Sequence, residues 1–461
     1  MMDFTIRRLL GALNIAPDGF SIGYLDKKIT GVTTDSRVVR KGNVFFALKG
    51  DRFDGAEFTE DAVNRGALCV IVNRDSFRES FATLPVLPVI DTVRSLGEAA
   101  HDYRLLFTGP VVGVTGSSGK TTTKEMIRAI LGLSLNVHAT EGNLNNHIGL
   151  PLTVFELEES HDCAVIEMGM SAPNEISYLT GIAEPDIGVI LNVGPSHMEF
   201  FPSLNAVADA KMELIESLSG DNIALVNGDD PLLVRAHERV NCRLMTFGID
   251  GEHDYTASDV SFDSSGCATF TFGGGRFSLR VPGRHMVYNA CAALAVGDLL
   301  GVAPVAAAEA LETYELPAMR MRVEKVGGIT LIDDSYNANP LSMQAAVSVF
   351  GTMKASRGTR KIAVVGDMLE LGSISEQAHR DVGGLFAKYA DLIVTVGAHA
   401  AGYVTGAREE GFNADRIRSF DTSEEAGIYV KNLIRSGDIV LLKGSRGMKM
   451  ETVRTFLNGA V

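Results

Sequence analysis

One nine-residue stretch limits what this chain can fold into: Gly113-Val114-Thr115-Gly116-Ser117-Ser118-Gly119-Lys120-Thr121. An apolar run, Pro110 to Val114, leads into it. Thr122 to Leu131 follows, with Met126, Ile127, Ile130 and Leu131 on one helical face. The order is buried strand, glycine-rich loop, helix. Without Cβ atoms in the way, successive backbone N–H groups turn inward around a phosphate, and the helix start adds partial positive charge there. Lys120 is placed to reach the β- and γ-phosphates, and the Thr121 hydroxyl to bind Mg²⁺. The strict phosphate-loop pattern has a glycine where Val114 stands, so this is a variant loop served by Gly113 and Gly116. The competing reading is a glycine-rich turn with an exposed lysine.

The flanking sequence extends this to an α/β chain of three units. With 461 residues and a 46% hydrophobic share, roughly two to four cores are expected. Residues 1–105 read as a small α/β domain, 106–316 as a larger unit opened by the phosphate loop, and 317–461 as a third, doubly wound unit. In the first, Val44 to Leu48 reads as a strand closed by a Lys49-Gly50-Asp51 turn, with Asp35-Ser36-Arg37 in the loop before it. That loop suits either a phosphorylated ligand or a plain capping turn.

A net charge of −15 argues against nucleic acid as a partner, which needs clustered Lys and Arg. Five scattered cysteines without a C-x-x-C read as reduced thiols of a cytoplasmic protein without a zinc site. The most apolar region, Ala290 to Leu311, is interrupted by Asp298, Gly301, Pro304 and Glu309. It reads as two buried helices, with no membrane insertion.

Strand ends beside the phosphate loop carry the next candidates, because ligands in parallel sheets sit at the carboxyl ends of strands. Cys163 to Glu167 ends in a carboxylate suited to Mg²⁺, and the strand Asp186 to Asn192 leads to His197 in the equivalent place. Either could instead be structural. Lys211 falls on the apolar stripe of Val207, Ile215 and Leu218. It either snorkels or is drawn into the phosphate and metal site, where its carbamate would be an anionic ligand. Asn289, near the start of an Ala-rich helix, either caps it or reads a purine edge. Lys443-Gly444-Ser445-Arg446-Gly447 has the makings of a compact anion site.

The chain resembles the Mur ligase family of peptidoglycan synthesis over essentially its whole length. Thr115 to Thr121 resembles that family's ATP loop, which accounts for the departure at Val114. Within the family, Glu141 to Pro151, Asp333 to Pro340, Val365 to Gly372 and Lys443 to Arg446 resemble the branch that adds D-alanyl-D-alanine. The resemblance implies ATP and Mg²⁺ as cofactors, UDP-MurNAc-tripeptide and D-alanyl-D-alanine as substrates, and a monomeric ligase working through an acyl phosphate. It implies that Thr115, Gly116, Ser117, Ser118, Gly119, Lys120 and Thr121 hold ATP with Asn289 at adenine, Arg320 at the γ-phosphate and Asp334 at the ribose. It further implies that Thr121, Glu167 and His197 serve the metal, that Lys211 matches a lysine carbamylated in several members, and that Asp35, Ser36 and Arg37 meet the UDP-sugar. Catalysis would then fall to Lys120, His197, Lys211 and Arg320, with the third unit closing on the second. Two rival functions remain open at this point: a sister ligase adding a single amino acid (or a folylpolyglutamate-type synthetase), and a nucleotide-driven switch or motor.

Overall fold

The computed structural model describes residues 1–18, 20–50, 53–354 and 358–457; Asp51, expected in a turn, falls outside them. The described chain forms four sheets.

The central sheet decides where the site lies. It has seven strands, all parallel, with Val111–Thr115 flanked by Cys163–Glu167 on one side and Ile187–Ile190 on the other. Both neighbours of the phosphate-loop strand therefore end beside it. Every residue of these three strands is buried, as expected for a sheet covered by helices on both faces. Met126, Ile127, Ile130 and Leu131 all pack into the core from the helix Lys120–Leu131, so the predicted apolar face is the one used.

The first 90 residues contribute a four-stranded parallel sheet. Its edge strand, Gly31–Thr33, precedes the Asp35 loop, so this loop follows the first strand rather than leading into it. Three residues, all half-buried, give no apolar run to read. The Ser258–Phe262, Cys267–Phe272 and Gly275–Pro282 strands form an antiparallel sheet, the last two joined by a turn at Gly273-Gly274.

The Ala-rich region is two helices, Arg284–Leu299 and Pro304–Glu312. Only the first is deeply buried. In the second, Ala307 and Leu311 alone are buried and Val305 is exposed, which corrects the expectation of two buried helices.

The last sheet has six strands, parallel except for the edge strand Arg322–Val326, which runs antiparallel to Ile329–Asp334. Its helix Pro340–Thr352 begins in a capping box, with Asn339 accepting from the Ser342 amide and the Ser342 hydroxyl accepting from that of Asn339.

Candidate active site

The central and C-terminal sheets meet at a cavity of about 410 Å³. Ser117 to Thr121, Glu167, His197, Lys211, Asn289, Arg320 and Asp334 all line it. Thr115 and Gly116 shape the loop from behind. The Thr115 hydroxyl is buried and donates to the Met168 carbonyl at 2.9 Å.

The phosphate loop is tied to the neighbouring strand tip. The Ser117 amide donates to the Asn192 carbonyl, and the Ser118 amide to the Asn192 side chain at 2.9 Å. The Ser117 hydroxyl donates to the Gly194 carbonyl. Those two amides are therefore committed within the protein, and the anion-facing donors are the first-turn amides of the helix Lys120–Leu131. Gly119 makes this junction possible. Its φ is +84°, and a Cβ there would lie 2.6 Å from the Asn289 amide oxygen. Asn289 is thus pressed against the loop. It lies more than one turn inside its helix, whose N-cap position is Gly283, so the capping alternative drops out.

Charge in the cavity is arranged unusually. Lys120 folds over its own loop and donates to the Gly116 carbonyl at 2.8 Å. Burial lowers its pKa; Glu167 opposes the shift and Arg320 adds to it. Lys211 is buried, and burial followed by the charge of Lys120 pushes its pKa well below the ordinary lysine value. Burial disfavours the charged form of both amines, and an anion placed beside them would favour it.

Glu167 is nearly inaccessible at the end of its strand. One oxygen accepts from the Thr121 hydroxyl at 2.8 Å and the other from the Asn145 amide at 2.7 Å. The Thr121 hydroxyl and the Glu167 carboxylate are hard oxygen donors that fit Mg²⁺, whereas the His197 imidazole is a borderline nitrogen donor. Among the described residues no three His, Cys, Asp or Glu side chains cluster as a ready-made metal cage. A Mg²⁺ ion here would take one or two protein ligands plus phosphate oxygens and water, its usual habit at nucleotide sites.

Arg320 comes from the segment that joins the central and C-terminal sheets. It is flanked by Met319 and Met321, both in the left-handed region at φ +65° and +51°. The Tyr336 amide donates to the Met319 carbonyl, and the Met321 amide to Asp334 at 3.0 Å. These bonds hold the guanidinium 4.0 Å above the Tyr336 ring.

One expectation changes in detail, and one candidate group stands apart from the cavity. Lys443 is buried and bonded to Asp334 at 2.6 Å and to the Asn337 carbonyl, while the Ser445 hydroxyl donates to Ala338. Lys443 and Ser445 are thus knitted into their own sheet, while Arg446 still lines the cavity. Asp334 carries that lysine and the Met321 amide on its two oxygens. Asp35, Ser36 and Arg37 lie outside the cavity. Asp35 caps the turn Ser36–Val38, and the Arg37 guanidinium closes on it, holding its carboxyl down at about 2.

Sequence reasoning gave no role to Asn145, Tyr336, Asn339 or Glu370. All four stood in loops it had marked, and only three-dimensional placement separates them from their neighbours.

The chain matches the family description "Mur ligase middle domain" over residues 114–297, "Mur ligase, glutamate ligase domain" over 319–446 and "Mur ligase family, catalytic domain" over 28–104. The chain is a Mur ligase. A relative from Bacillus subtilis named UDP-N-acetylmuramoyl-tripeptide–D-alanyl-D-alanine ligase is 40% identical, with 93% of each chain covered. A crystal structure of MurF from Acinetobacter baumannii superimposes with a TM-score of 0.89 at 33% identity, covering 98% of both chains. The MurF ligase of Thermotoga maritima, solved in complex with ADP, gives 0.81 at 30% identity, covering 93% of this Mur ligase and 96% of that chain. Among the described residues of this Mur ligase, no helix is long and apolar enough to cross a membrane.

Proposed function

We infer that this Mur ligase is the ATP-dependent enzyme that joins D-alanyl-D-alanine to UDP-N-acetylmuramoyl-tripeptide, releasing ADP and phosphate. The observation that carries the reading is the cavity where the phosphate loop, Glu167, Lys211 and Arg320 converge, in a chain alike end to end to ligases of that name.

The chemistry follows from the groups present. A carboxylate is a poor acyl donor, because oxide is a prohibitive leaving group. Transfer of the γ-phosphoryl of ATP to the tripeptide carboxylate gives an acyl phosphate and ADP. The dipeptide amine then attacks the acyl carbon, a tetrahedral intermediate forms, phosphate departs and the amine proton is lost. Lys120 and Arg320 face the charge that gathers as these anions meet. Thr121, Glu167 and His197 would hold Mg²⁺, one or two of them directly and the rest through water, and the ion would supply Lewis-acid neutralisation of phosphoryl oxygens. Burial, with the charge of Lys120, shifts Lys211 toward the neutral amine, the form that adds CO₂ by forming an N–C bond and releasing a proton. The resulting carbamate would be an anionic partner for the metal beside Lys120. Walls from two sheets shield the acyl phosphate from water.

The remaining assignments follow the same reading. Asn289 serves the adenine side and Asp334 the ribose. Asp35, Ser36 and Arg37 meet the UDP-sugar, the diphosphate competing with Asp35 for the Arg37 guanidinium. Residues 1–105 act as the UDP-sugar-binding domain, 106–316 as the central ATP-binding domain and 317–461 as the C-terminal ligase domain of a cytoplasmic monomer.

The test is phosphate release with ATP and UDP-N-acetylmuramoyl-tripeptide while the acceptor is varied. Turnover is expected with D-alanyl-D-alanine and not with D-alanine, L-lysine or glutamate. Turnover with a single amino acid points to a sister ligase, and hydrolysis with no acceptor to a switch or motor.

A further inference from the structure

His197 and Glu370 lie 173 positions apart and on different sheets, yet the His197 Nδ1 and a Glu370 carboxylate oxygen are 2.6 Å apart. His197 follows the central strand Ile187–Ile190, and Glu370 follows the C-terminal strand Lys361–Gly366. A backbone bond runs beside the side-chain contact, from the Glu199 amide to the Glu370 carbonyl at 3.1 Å.

Both residues hold a left-handed backbone, φ +58° at His197 and +62° at Glu370. That region is disfavoured for residues with a Cβ and concentrates at functional sites. The Glu370 loop is fixed from its own side. The Met368 amide donates to His379, the Leu369 amide donates to Ser445, and Leu371 is buried. Gly372 (φ +54°) passes so close to Glu199 that a Cβ would sit 3.0 Å from its Cα. The carboxylate is therefore presented to His197 by a braced loop rather than a free side chain.

An imidazole engaged at Nδ1 by a carboxylate has its proton there and its lone pair on Nε2. We propose that Glu370 is a positioning residue: reaching across from the C-terminal sheet, it sets the tautomer and ring orientation of His197 and so completes the metal site only when the two sheets are docked. The inference rests on the reading of His197 as a metal ligand. Docking thereby couples assembly of the acceptor side to readiness of the phosphoryl-transfer side.

The test uses the full chain and Mn²⁺ as the probe, titrated in the presence of a non-hydrolysable ATP analogue and counted by electron paramagnetic resonance. Parent, Glu370→Ala, Glu370→Gln and His197→Ala are compared, with small-angle scattering on each complex. The expected result is a loss of about tenfold in Mn²⁺ affinity for Glu370→Ala, the scale of losing a carboxylate behind a metal-bound histidine. Glu370→Gln keeps an acceptor oxygen and recovers most of it, and all particles stay equally compact. Parent-like binding by Glu370→Ala alongside weakened binding by His197→Ala overturns the positioning role and leaves the metal reading standing. Parent-like binding by His197→Ala removes both. An expanded Glu370→Ala particle would make the residue a latch between sheets and overturns the proposal as well.

Discussion

The Asn339 side chain holds two elements at once: its oxygen caps the helix Pro340–Thr352 through the Ser342 amide at 2.8 Å, and its Nδ2 donates to the Ser117 carbonyl of the phosphate loop at 3.0 Å. A single amide thus ties the C-terminal helix start to the loop of another sheet. Gly194, at the neighbouring strand tip, packs against Leu341 in the same helix.

Asn339→Asp separates these two jobs. Aspartate caps a helix as well as asparagine but has no N–H to offer, and it brings negative charge toward the nucleotide. The helix cap should survive, so stability should fall by no more than the roughly 1–1.5 kcal/mol of one lost hydrogen bond plus local repulsion, while ligation slows by at least about tenfold. Asn339→Ala should lose stability too, by about 1 kcal/mol for the missing cap. Equal rates in parent and Asn339→Asp would show that the interdomain bond does nothing for turnover.

Lys211 sits in the site as a buried amine whose pKa burial and Lys120 depress. A neutral amine is what CO₂ requires. Parent enzyme stripped of CO₂ should lose activity and regain it with bicarbonate. Lys211→Ala should fall by roughly 10²-fold, the order seen when one electrostatic stabiliser is removed, and ignore bicarbonate. A stripped parent that works at full rate would leave Lys211 as a plain buried cation.

The Arg320–Tyr336 contact invites a third experiment. The guanidinium lies over the ring inside a cavity wall, where such contacts reach about 2 kcal/mol. Tyr336→Phe keeps the face and should keep most of kcat, whereas Tyr336→Leu should lose about tenfold or more. If both variants turn over alike, the two left-handed methionines alone aim Arg320.

These residues also mark where sequence reasoning stops. The strands Val111–Thr115, Cys163–Glu167 and Leu392–Val396 are continuous apolar runs, and fully covered parallel strands announce themselves that way. The edge strands Gly31–Thr33, Arg322–Val326 and Ile417–Phe420 went unread because an edge is half solvated and its residues are mixed. In the site, Lys120, Glu167 and His197 were legible because strand order alone puts their strand tips side by side. The left-handed turns at Met319, Met321 and Glu370 were not. Methionine and glutamate carry no local signal for positive φ, and tertiary bonds impose it. Asp334 shows the same limit: the motif marked it for ligand contact, and only the structure reveals that it also pairs with Lys443 and accepts from the Met321 amide.

His285 supplies a pH-dependent prediction. It lines the cavity one turn before Asn289, and burial, with a smaller push from the charge of Lys443, lowers its pKa to about 4. An unfolded histidine titrates near 6.5. Between those values the unfolded chain takes up a proton that the fold refuses, so stability is full above about pH 6.5 and is lost as pH falls toward 4. The whole shift amounts to on the order of 3 kcal/mol. His285→Gln removes the titration while keeping a polar side chain of similar reach. Urea midpoints measured from pH 7 to pH 4 should therefore fall less steeply for His285→Gln than for the parent, the two curves lying closest near pH 7 and separating toward the acid end. Parallel curves would mean that the imidazole finds a partner for its proton in the folded cavity, and the carboxylates Glu167 and Asp334 would be the groups to examine next.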